Sequence, residues 1–253
     1  MKIVTIFSTK GGVGKSTISA NFSSVSLLEG RDVITLDFDP NNSLRYHFGF
    51  AQSSIDGHAL ATLSKTSLKN QIKVSPDRSK ILPFGNLDDD QLNAYEELLL
   101  QDPMMLRKEI ESMNLNASDI VIIDAPAGST IYSQQALNAS DVVVVPLLAD
   151  ASSYLTLPQS ITMLKRHCLN RPNFDGFMVI LNQVNRSFEL NTNITEIIKT
   201  KFVNHVFAEI HQDQAIPEAL ACGTNVLSYA PESLGAQDMI DAAQILETYF
   251  LGK

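Results

Sequence analysis

The chain has 253 residues, of which 44% are hydrophobic and 19% are charged, a composition that excludes intrinsic disorder and collagen-like repeats. Its formal net charge is −9, so its surface as a whole should repel nucleic acid and anionic lipid, and binding to either would need a local basic patch. No internal repeat or long linker divides the sequence, which favours one α/β domain over residues 1–253.

The cysteines and the apolar segments indicate the cellular compartment of the protein. Cys168 and Cys222 lie far apart without a Cys or His neighbour at ligand spacing, so the sequence predicts neither a disulfide framework nor a zinc site. We expect both to be small buried side chains. No segment has the ~20 apolar residues of a membrane span, and the apolar run before the first glycines is too short for a signal peptide. These features favour a soluble, cytoplasmic protein.

Short apolar runs alternate with amphipathic stretches along most of the chain. The runs lack the polar alternation of half-exposed strands, so they predict strands buried on both faces, as in a parallel sheet. The predicted strands are residues 3–7, 33–36, 81–82, 120–123, 142–145 and 177–181. The predicted helices are residues 16–29, 133–138, 154–167, 191–201, 214–221 and 233–249. This rhythm predicts an α/β fold with a doubly wound, mostly parallel sheet and helices on both faces. Pro146 and Pro172 are expected to end their segments.

One stretch, residues 51–116, keeps this rhythm poorly, and we name it the excursion. It has a portion rich in Ser and Lys and an acidic helical portion over 88–113 that is interrupted by Pro103. We treat it as an irregular part of the single domain.

The strongest motif directly follows the first predicted strand and precedes a predicted helix. It reads Lys10-Gly11-Gly12-Val13-Gly14-Lys15-Ser16-Thr17. Glycines allow backbone N–H groups to turn around a polyphosphate, Lys15 can reach its outer oxygens, and Ser16 can ligate Mg²⁺. The start of the helix adds positive potential. The alternative is a glycine-rich turn that binds nothing.

This string resembles the deviant phosphate loop of the MinD/ParA ATPases. The usual first glycine would fall at Thr9, and an additional lysine, Lys10, precedes the glycine pair. The resemblance implies a MinD-like P-loop NTPase fold with ATP and Mg²⁺ as cofactors. It also implies a homodimer that forms on ATP binding, in which Lys10 reaches the partner's nucleotide, and slow, dimer-dependent ATP hydrolysis.

Two acids follow the second predicted strand, at the sheet edge where open α/β folds bind ligands. Asp39 precedes Pro40, which favours an extended or turn conformation, so Asp37 and Asp39 should both reach the crevice. The segment resembles the family's first switch, with Asn41 where glutamine is more usual. The resemblance implies that Asp39 orients the attacking water and that Asp37 supports Mg²⁺ through its waters. A simple turn-forming Asp39 is the alternative.

A further aspartate, Asp124, ends the apolar run 120–123. A rigid strand that delivers one carboxylate to a metal is typical of a Walker B element, so Asp124 is a candidate for Mg²⁺. A helix cap is the alternative. The following residues 126–128 resemble the family's second switch.

The candidates for base recognition lie later in the chain. Asn182 ends a predicted strand where the family places an asparagine, whose amide can pair with adenine. By the same resemblance the backbone of 211–213 would lie along the purine, and a plain surface turn is the alternative.

Two segments, 81–87 and 210–219, resemble the BcsQ (YhjQ) proteins encoded with bacterial cellulose synthases. The resemblance implies a cytosolic accessory whose partners are subunits of the membrane-embedded synthase complex, which could recruit it to the inner membrane. A ParA-like partition ATPase that binds DNA with ATP, a MinD/FlhG-like positioning ATPase and a scaffold that binds ATP without hydrolysis are the alternatives.

The net charge and the charges of the C-terminal tail help to choose between these alternative functions. The acidic balance disfavours direct DNA binding, although a dimer groove can concentrate a few lysines. The tail 241–253 sets Asp241 and Glu247 against one lysine, Lys253. It therefore lacks the basic amphipathic character of a membrane-binding helix, and direct membrane insertion is disfavoured.

Overall fold

The computed structural model describes residues 1–52, 54–202 and 205–252, so Lys253 of the tail lies outside the described residues. Its strands are β1 (Lys2–Ile6), β2 (Val33–Asp37), β3 (Lys73–Val74), β4 (Lys80–Leu82), β5 (Ile120–Asp124), β6 (Val142–Leu148), β7 (Gly176–Val184) and β8 (Val206–His211). They form one eight-stranded sheet in the order β3-β4-β2-β5-β1-β6-β7-β8. All neighbouring pairs are parallel except β3 with β4. The predicted fold class is confirmed.

Helices cover both faces of the sheet. They are α1 (Lys15–Leu28), α2 (His58–Leu63), α3 (Asp89–Gln101), α4 (Met105–Ser112), α5 (Ile131–Ala139), α6 (Ala151–His167), α7 (Glu189–Lys201), α8 (Ala215–Ala221), α9 (Val226–Tyr229) and α10 (Leu234–Leu246). The predicted helices are all present with slightly shifted ends, whereas the short α2 and α9 were not predicted. Within the described ranges, no helix is long and apolar enough to cross a membrane.

The central strands are apolar on both sides because each side meets its own layer of helices. Val4 and Ile6 of β1 pack in a cluster with residues of α1 and α10. Ile3, which points to the other face, packs in a cluster with residues of α3, α4 and α5. Two-sided burial of this kind explains why the strands show no polar alternation.

Pro146 does not end its strand, contrary to the sequence prediction. β6 continues to Leu148, and Pro146 pairs with Ile180 of β7. Phe7 donates its N–H to the carbonyl of Val144 (2.9 Å), so by alternation the nitrogen of Pro146 faces the side of β1. Since β1 has already ended at Ile6, no ladder bond is lost at the proline.

The prediction for the cysteines is correct for one of them. Cys168 is buried, but Cys222 is exposed at the end of α8, and neither forms a disulfide.

The excursion supplies one edge of the sheet and part of one helical layer. β4 pairs in parallel with β2, and the short β3 pairs antiparallel to β4. Between β2 and β4 the chain forms α2, whose N-cap Gly57 lies against Gly85: a Cβ built on Gly85 would come within 2.7 Å of the nitrogen of Gly57. As predicted, Pro103 separates two helices, here α3 and α4.

Candidate functional site

The candidate residues meet at the carboxyl edge of three adjacent strands. Asp37 ends β2 and Asp124 ends β5, and the two residues are paired in the sheet. Ile6, at the end of β1, pairs with the other side of Asp124. The glycine-rich loop leaves β1 at this point and runs into α1, so both acids lie beside it.

The glycines of the loop adopt backbone conformations that other residues avoid. Gly12 has φ 71° and Gly14 has φ 92°, both in the left-handed region that favours glycine. A Cβ on Gly12 would meet no atom within 4 Å, whereas a Cβ on Gly14 would collide with the amide of Asn182. The first turn of α1 closes through the N–H of Ile18 and the carbonyl of Gly14 (2.9 Å). The loop is therefore an open cradle of main chain around a helix start.

Thr9, which stands where simple phosphate loops have glycine, anchors the loop to α6. Its N–H donates to Ser160 Oγ (3.3 Å), and its hydroxyl lies 2.9 Å from the same oxygen. Ser160 is buried. The departure from the simple motif thus has a structural reason, which the sequence did not reveal.

Lys10 is turned towards its own chain. Its Nζ lies 2.8 Å from Asp150 Oδ2 and 3.1 Å from Ser153 Oγ. Asp150 is also the N-cap of α6, because its Oδ1 accepts the N–H of Ser153 (2.6 Å). In this state Lys10 is not extended towards a second copy.

Lys15 and Asp124 form the electrostatic centre of the site. Burial lowers the pKa of Lys15, against the opposing charges of Asp124 and Asp39. Burial raises the pKa of Asp124 to about 6, against hydrogen bonds from Ser16 and Ser19 and the charge of Lys15. Ser19 Oγ lies 3.2 Å from Asp124 Oδ1. Asp124 is therefore tied to the start of α1 and is not a helix cap.

Asp37 holds the loop that follows it. Its two carboxylate oxygens accept the N–H groups of Asp39 and Leu44, each at 3.1 Å. The side chain is fully buried, and burial, followed by the charge of Asp124, raises its pKa well above the ordinary range. Support of Mg²⁺ by Asp37 stays a prediction.

Asp39 forms the turn expected of an Asp-Pro pair and also faces the site. Its Oδ1 accepts the backbone N–H and the side-chain Nδ2 of Asn41, both at 2.9 Å. Asp39 also lines a cleft of about 680 Å³ together with the loop residues Gly12 and Lys15, the segment after β5 and Glu96 of α3. The two interpretations of Asp39 therefore coexist.

A second cleft, of about 330 Å³, opens on the other side of the loop. It is lined by Gly14, Asn182, the segment 211–214 and apolar residues of α8. Asn182 Nδ2 donates to the carbonyl of Val13 (2.8 Å), and its Oδ1 accepts the N–H of Gln183 (3.0 Å). Each amide atom keeps one further bonding position, so pairing with a base stays a prediction.

The side chains of the described residues do not by themselves form a complete metal site. Among residues 1–52, 54–202 and 205–252, no three His, Cys, Asp or Glu side chains converge closely enough to hold a cation. Mg²⁺ accepts a few protein oxygens when phosphate and water supply the others. Ser16 and Asp124 fit that pattern.

Three site residues escaped the sequence prediction: Ser19, Asp150 and Ser160. A signal existed for Ser19, because it lies three residues after Ser16 and shares a helix face with it. Asp150 and Ser160 reach the loop only through the packing of α6, which no local pattern encodes.

A family model described as cellulose biosynthesis protein BcsQ matches residues 1–245. The sporulation initiation inhibitor protein Soj of Bacillus subtilis is 25% identical, over 96% of this chain and 97% of its own length. The cellulose biosynthesis protein BcsQ of Escherichia coli K12 is 22% identical, over 96% of this chain and 93% of its own length. Among solved structures, the septum site-determining protein MinD of Pyrococcus horikoshii, complexed with Mg-ADP, aligns with a TM-score of 0.78 at 24% identity, over 97% of this chain and 96% of that chain.

Proposed function

Because this chain belongs to the family of the cellulose biosynthesis protein BcsQ, we propose that it is an ATP-dependent dimerisation switch. It binds ATP with Mg²⁺, hydrolyses it slowly in a homodimer, and serves as a cytoplasmic accessory of a bacterial cellulose synthesis and secretion complex. Subunits of that complex recruit it to the inner membrane. The observation that carries the proposal is the meeting of Lys15, Ser16 and Asp124 beneath an open glycine cradle.

Each part of the site has a role in this proposal. The backbone N–H groups of residues 11–17 and the ammonium of Lys15 bind the phosphates. Ser16 and Asp124, with Asp37 behind them, hold Mg²⁺, which when bound neutralises charge between the phosphates. Asp39 orients the attacking water through Oδ2, since both bonds from Asn41 use Oδ1. Asn182 and the backbone of 211–213 contact the base.

Lys10 must exchange partners for the dimer to work. In the present state it pairs with Asp150, whereas a nucleotide bound by a second copy would offer it stronger, multiply charged oxygens. Dimerisation then completes the site, because each copy lacks a second lysine of its own on the outer phosphate. A monomer should hydrolyse ATP very slowly.

A chromosome-partitioning ATPase, Soj of Treponema pallidum, is 25% identical to this chain. Together with the resemblance of the phosphate loop to the ParA ATPases, this relation supports a second candidate function: a partition ATPase that binds DNA when it holds ATP. The net charge of −9 weighs against this function. Two further alternatives are a MinD/FlhG-like positioning ATPase and a scaffold that binds ATP without hydrolysis. The same tests distinguish them from the proposed function.

The test uses the full chain and an Asp39→Ala variant. Calorimetry with Mg-ATP should show binding to both, and gel filtration should show that ATP shifts both towards dimer. The ATP-loaded variant, used as bait in its own cells, should retain synthase subunits. A salt-sensitive, ATP-dependent shift of duplex DNA would instead favour the partition function, and no heat of binding would refute both.

A further inference from the structure

A cluster of five aromatic side chains packs beneath the larger cleft, next to the segments 39–41 and 126–131 that line it. All five are buried; we call Phe38, His58, Phe84, Tyr95 and Tyr132 the ring cluster. Phe38 lies between Asp37 and Asp39, and Tyr132 is the second residue of α5, four residues after the second switch segment 126–128. The other three rings belong to the excursion, which is therefore packed against the first switch segment and against α5, the helix that follows the second switch segment.

His58 is central in the ring cluster. Its imidazole stacks on Phe38, with centroids 5.5 Å apart and planes inclined by 20°. Phe84 meets it edge-on at 5.2 Å. Tyr132 meets the same Phe38 ring edge-on at 5.7 Å. The ring of Phe38 in the first switch is therefore contacted by one ring from the excursion and one from α5.

His58 also bonds to the first switch itself. Its Nε2 lies 2.9 Å from the carbonyl oxygen of Asp37, and because a carbonyl only accepts, Nε2 must carry the proton. With the proton on Nε2, the other ring nitrogen, Nδ1, is an acceptor in the uncharged ring. The hydroxyl of Tyr95 faces Nδ1 at 3.4 Å. One tautomer is thus selected by its neighbours.

The bond lies where β4 stops supplying partners to β2. The ladder between β2 and β4 ends at the pair Leu36 and Leu82. The next carbonyl, that of Asp37, receives the imidazole N–H instead. Immediately afterwards the chain turns, and the N–H of Phe38 donates to the carbonyl of Asp124 (2.9 Å). His58 therefore fixes the last peptide before the segment that carries Asp39.

We propose that His58 is a positioning residue for ATP hydrolysis: it holds the first switch by donating Nε2–H to the carbonyl of Asp37, and through it the excursion governs where Asp39 points. The inference rests on the proposed function. Packing alone does not call for a histidine, because a phenyl ring would fill the same space without burying two polar nitrogens. A small displacement of a water-orienting carboxylate can cost on the order of 100-fold in rate.

The experiment compares variants of full-length protein that separate the donor from the ring. His58→Phe keeps a ring against Phe38 and removes the donor. His58→Gln places an N–H near the position of Nε2, whereas His58→Asn is one methylene too short to reach the carbonyl. Phe84→Leu is the matched control, because it loosens the same cluster without touching Asp37. Melting temperature, nucleotide affinity and kcat are measured for each.

We expect His58→Phe and His58→Asn to lower kcat about tenfold or more with ATP affinity within about threefold of the parent, and His58→Gln to recover most of the rate. Phe84→Leu should lower the melting temperature by roughly 4 °C and leave kcat near the parent value. Full activity in His58→Phe, or equal loss in His58→Gln and His58→Asn, would overturn the inference. If His58→Phe does not fold, the Gln and Asn pair decides.

A second measurement separates this inference from the proposed function. In nucleotide-free protein, amide hydrogen exchange in the peptide 37–44 should be about tenfold faster in His58→Asn than in Phe84→Leu. That difference requires no ATP. The parent protein could fail to bind and hydrolyse ATP while the exchange difference is present. In that case the proposed function is wrong, but the inference that His58 holds the first switch is supported. Equal exchange in the two variants refutes the hold whatever the protein does with ATP.

Discussion

The phosphate loop and the excursion contribute to one site in opposite ways. The loop works through main chain: Gly12 and Gly14 adopt left-handed conformations, and the bonding groups belong to neighbouring residues in sequence. The excursion works through one imidazole brought to the carbonyl of Asp37 from 21 positions away. In the proposed function, the part of the site that binds nucleotide is local in sequence, whereas the part that positions Asp39 is assembled by the fold.

The Lys15→Ala substitution should abolish most of the contribution of the phosphate loop to nucleotide binding. Removal of its charge should weaken Mg-ATP binding at least about 100-fold, as expected for loss of a charge-assisted contact to phosphate. Calorimetry measures this directly. Lys10→Ala is the control, since it should bind ATP but remain a monomer on gel filtration. Retention of tight binding by Lys15→Ala would show that the loop does not act as described.

Asp39→Ala should separate binding from turnover. We expect hydrolysis to fall about 100-fold, because the water loses its orienting carboxylate, while ATP still binds and dimer accumulates. Phosphate release and light scattering report the two quantities. Asp88→Ala, which removes the N-cap of α3, should only lower the melting temperature. Comparable hydrolysis in the two variants would argue against a role for Asp39.

Asp150→Asn tests whether the ion pair between Lys10 and Asp150 restrains dimerisation. Asparagine can still cap α6, but it no longer pairs with Lys10 as an ion. ATP-dependent dimerisation should then occur at roughly fivefold lower ATP, the effect of losing a partly exposed ion pair. Asp175→Asn removes the ion pair with Lys2 and should leave the dimerisation curve unchanged. An unchanged curve in both variants would mean that the Lys10 contact does not restrain assembly.

Glu109→Gln should have the smallest effect on ATP binding and hydrolysis, and it tests the packing of the excursion through protein stability. Burial raises the pKa of Glu109 from 4.5 to about 7, against a hydrogen bond from Thr62. The folded state therefore binds the proton more tightly than the unfolded state, and the free energy of unfolding falls as pH rises from about 4.5 to about 7. The variant should lack this decline and exceed the parent by about 3 kcal/mol at pH 8. Denaturant unfolding at pH 5 and pH 8 measures the difference in free energy of unfolding between the variant and the parent. A variant less stable than the parent at pH 8 would show instead that the ionised carboxylate is stabilising.

The sheet and the phosphate side were predictable because each depends on a short pattern. Runs such as 120–123 are apolar throughout, since helices cover both faces of the strand, and the loop glycines mark their own conformations. Asp124 was identified because it ends such a run. Pro146 was misinterpreted because its effect depends on where a different strand, β1, stops.

The remaining features depend on long-range packing. α2 is a six-residue helix whose sequence carries no clear amphipathic period, so His58 gave no sign of its role. Lys10 was assigned to a second copy by resemblance, and its present partner, Asp150, comes from the start of a distant helix. Asn182 was assigned to a base, yet its amide also fastens β7 to the phosphate loop, a task visible only in three dimensions.

The contact between Gly57 and Gly85 has a consequence for sequence change in this protein. Two stretches of bare main chain touch there, one residue before His58 begins α2. A methyl group at either glycine would collide with this main chain. It should push the segment after β4 away from the start of α2 and separate the imidazole of His58 from the carbonyl of Asp37. Substitution of either glycine is therefore expected to uncouple the excursion from the first switch.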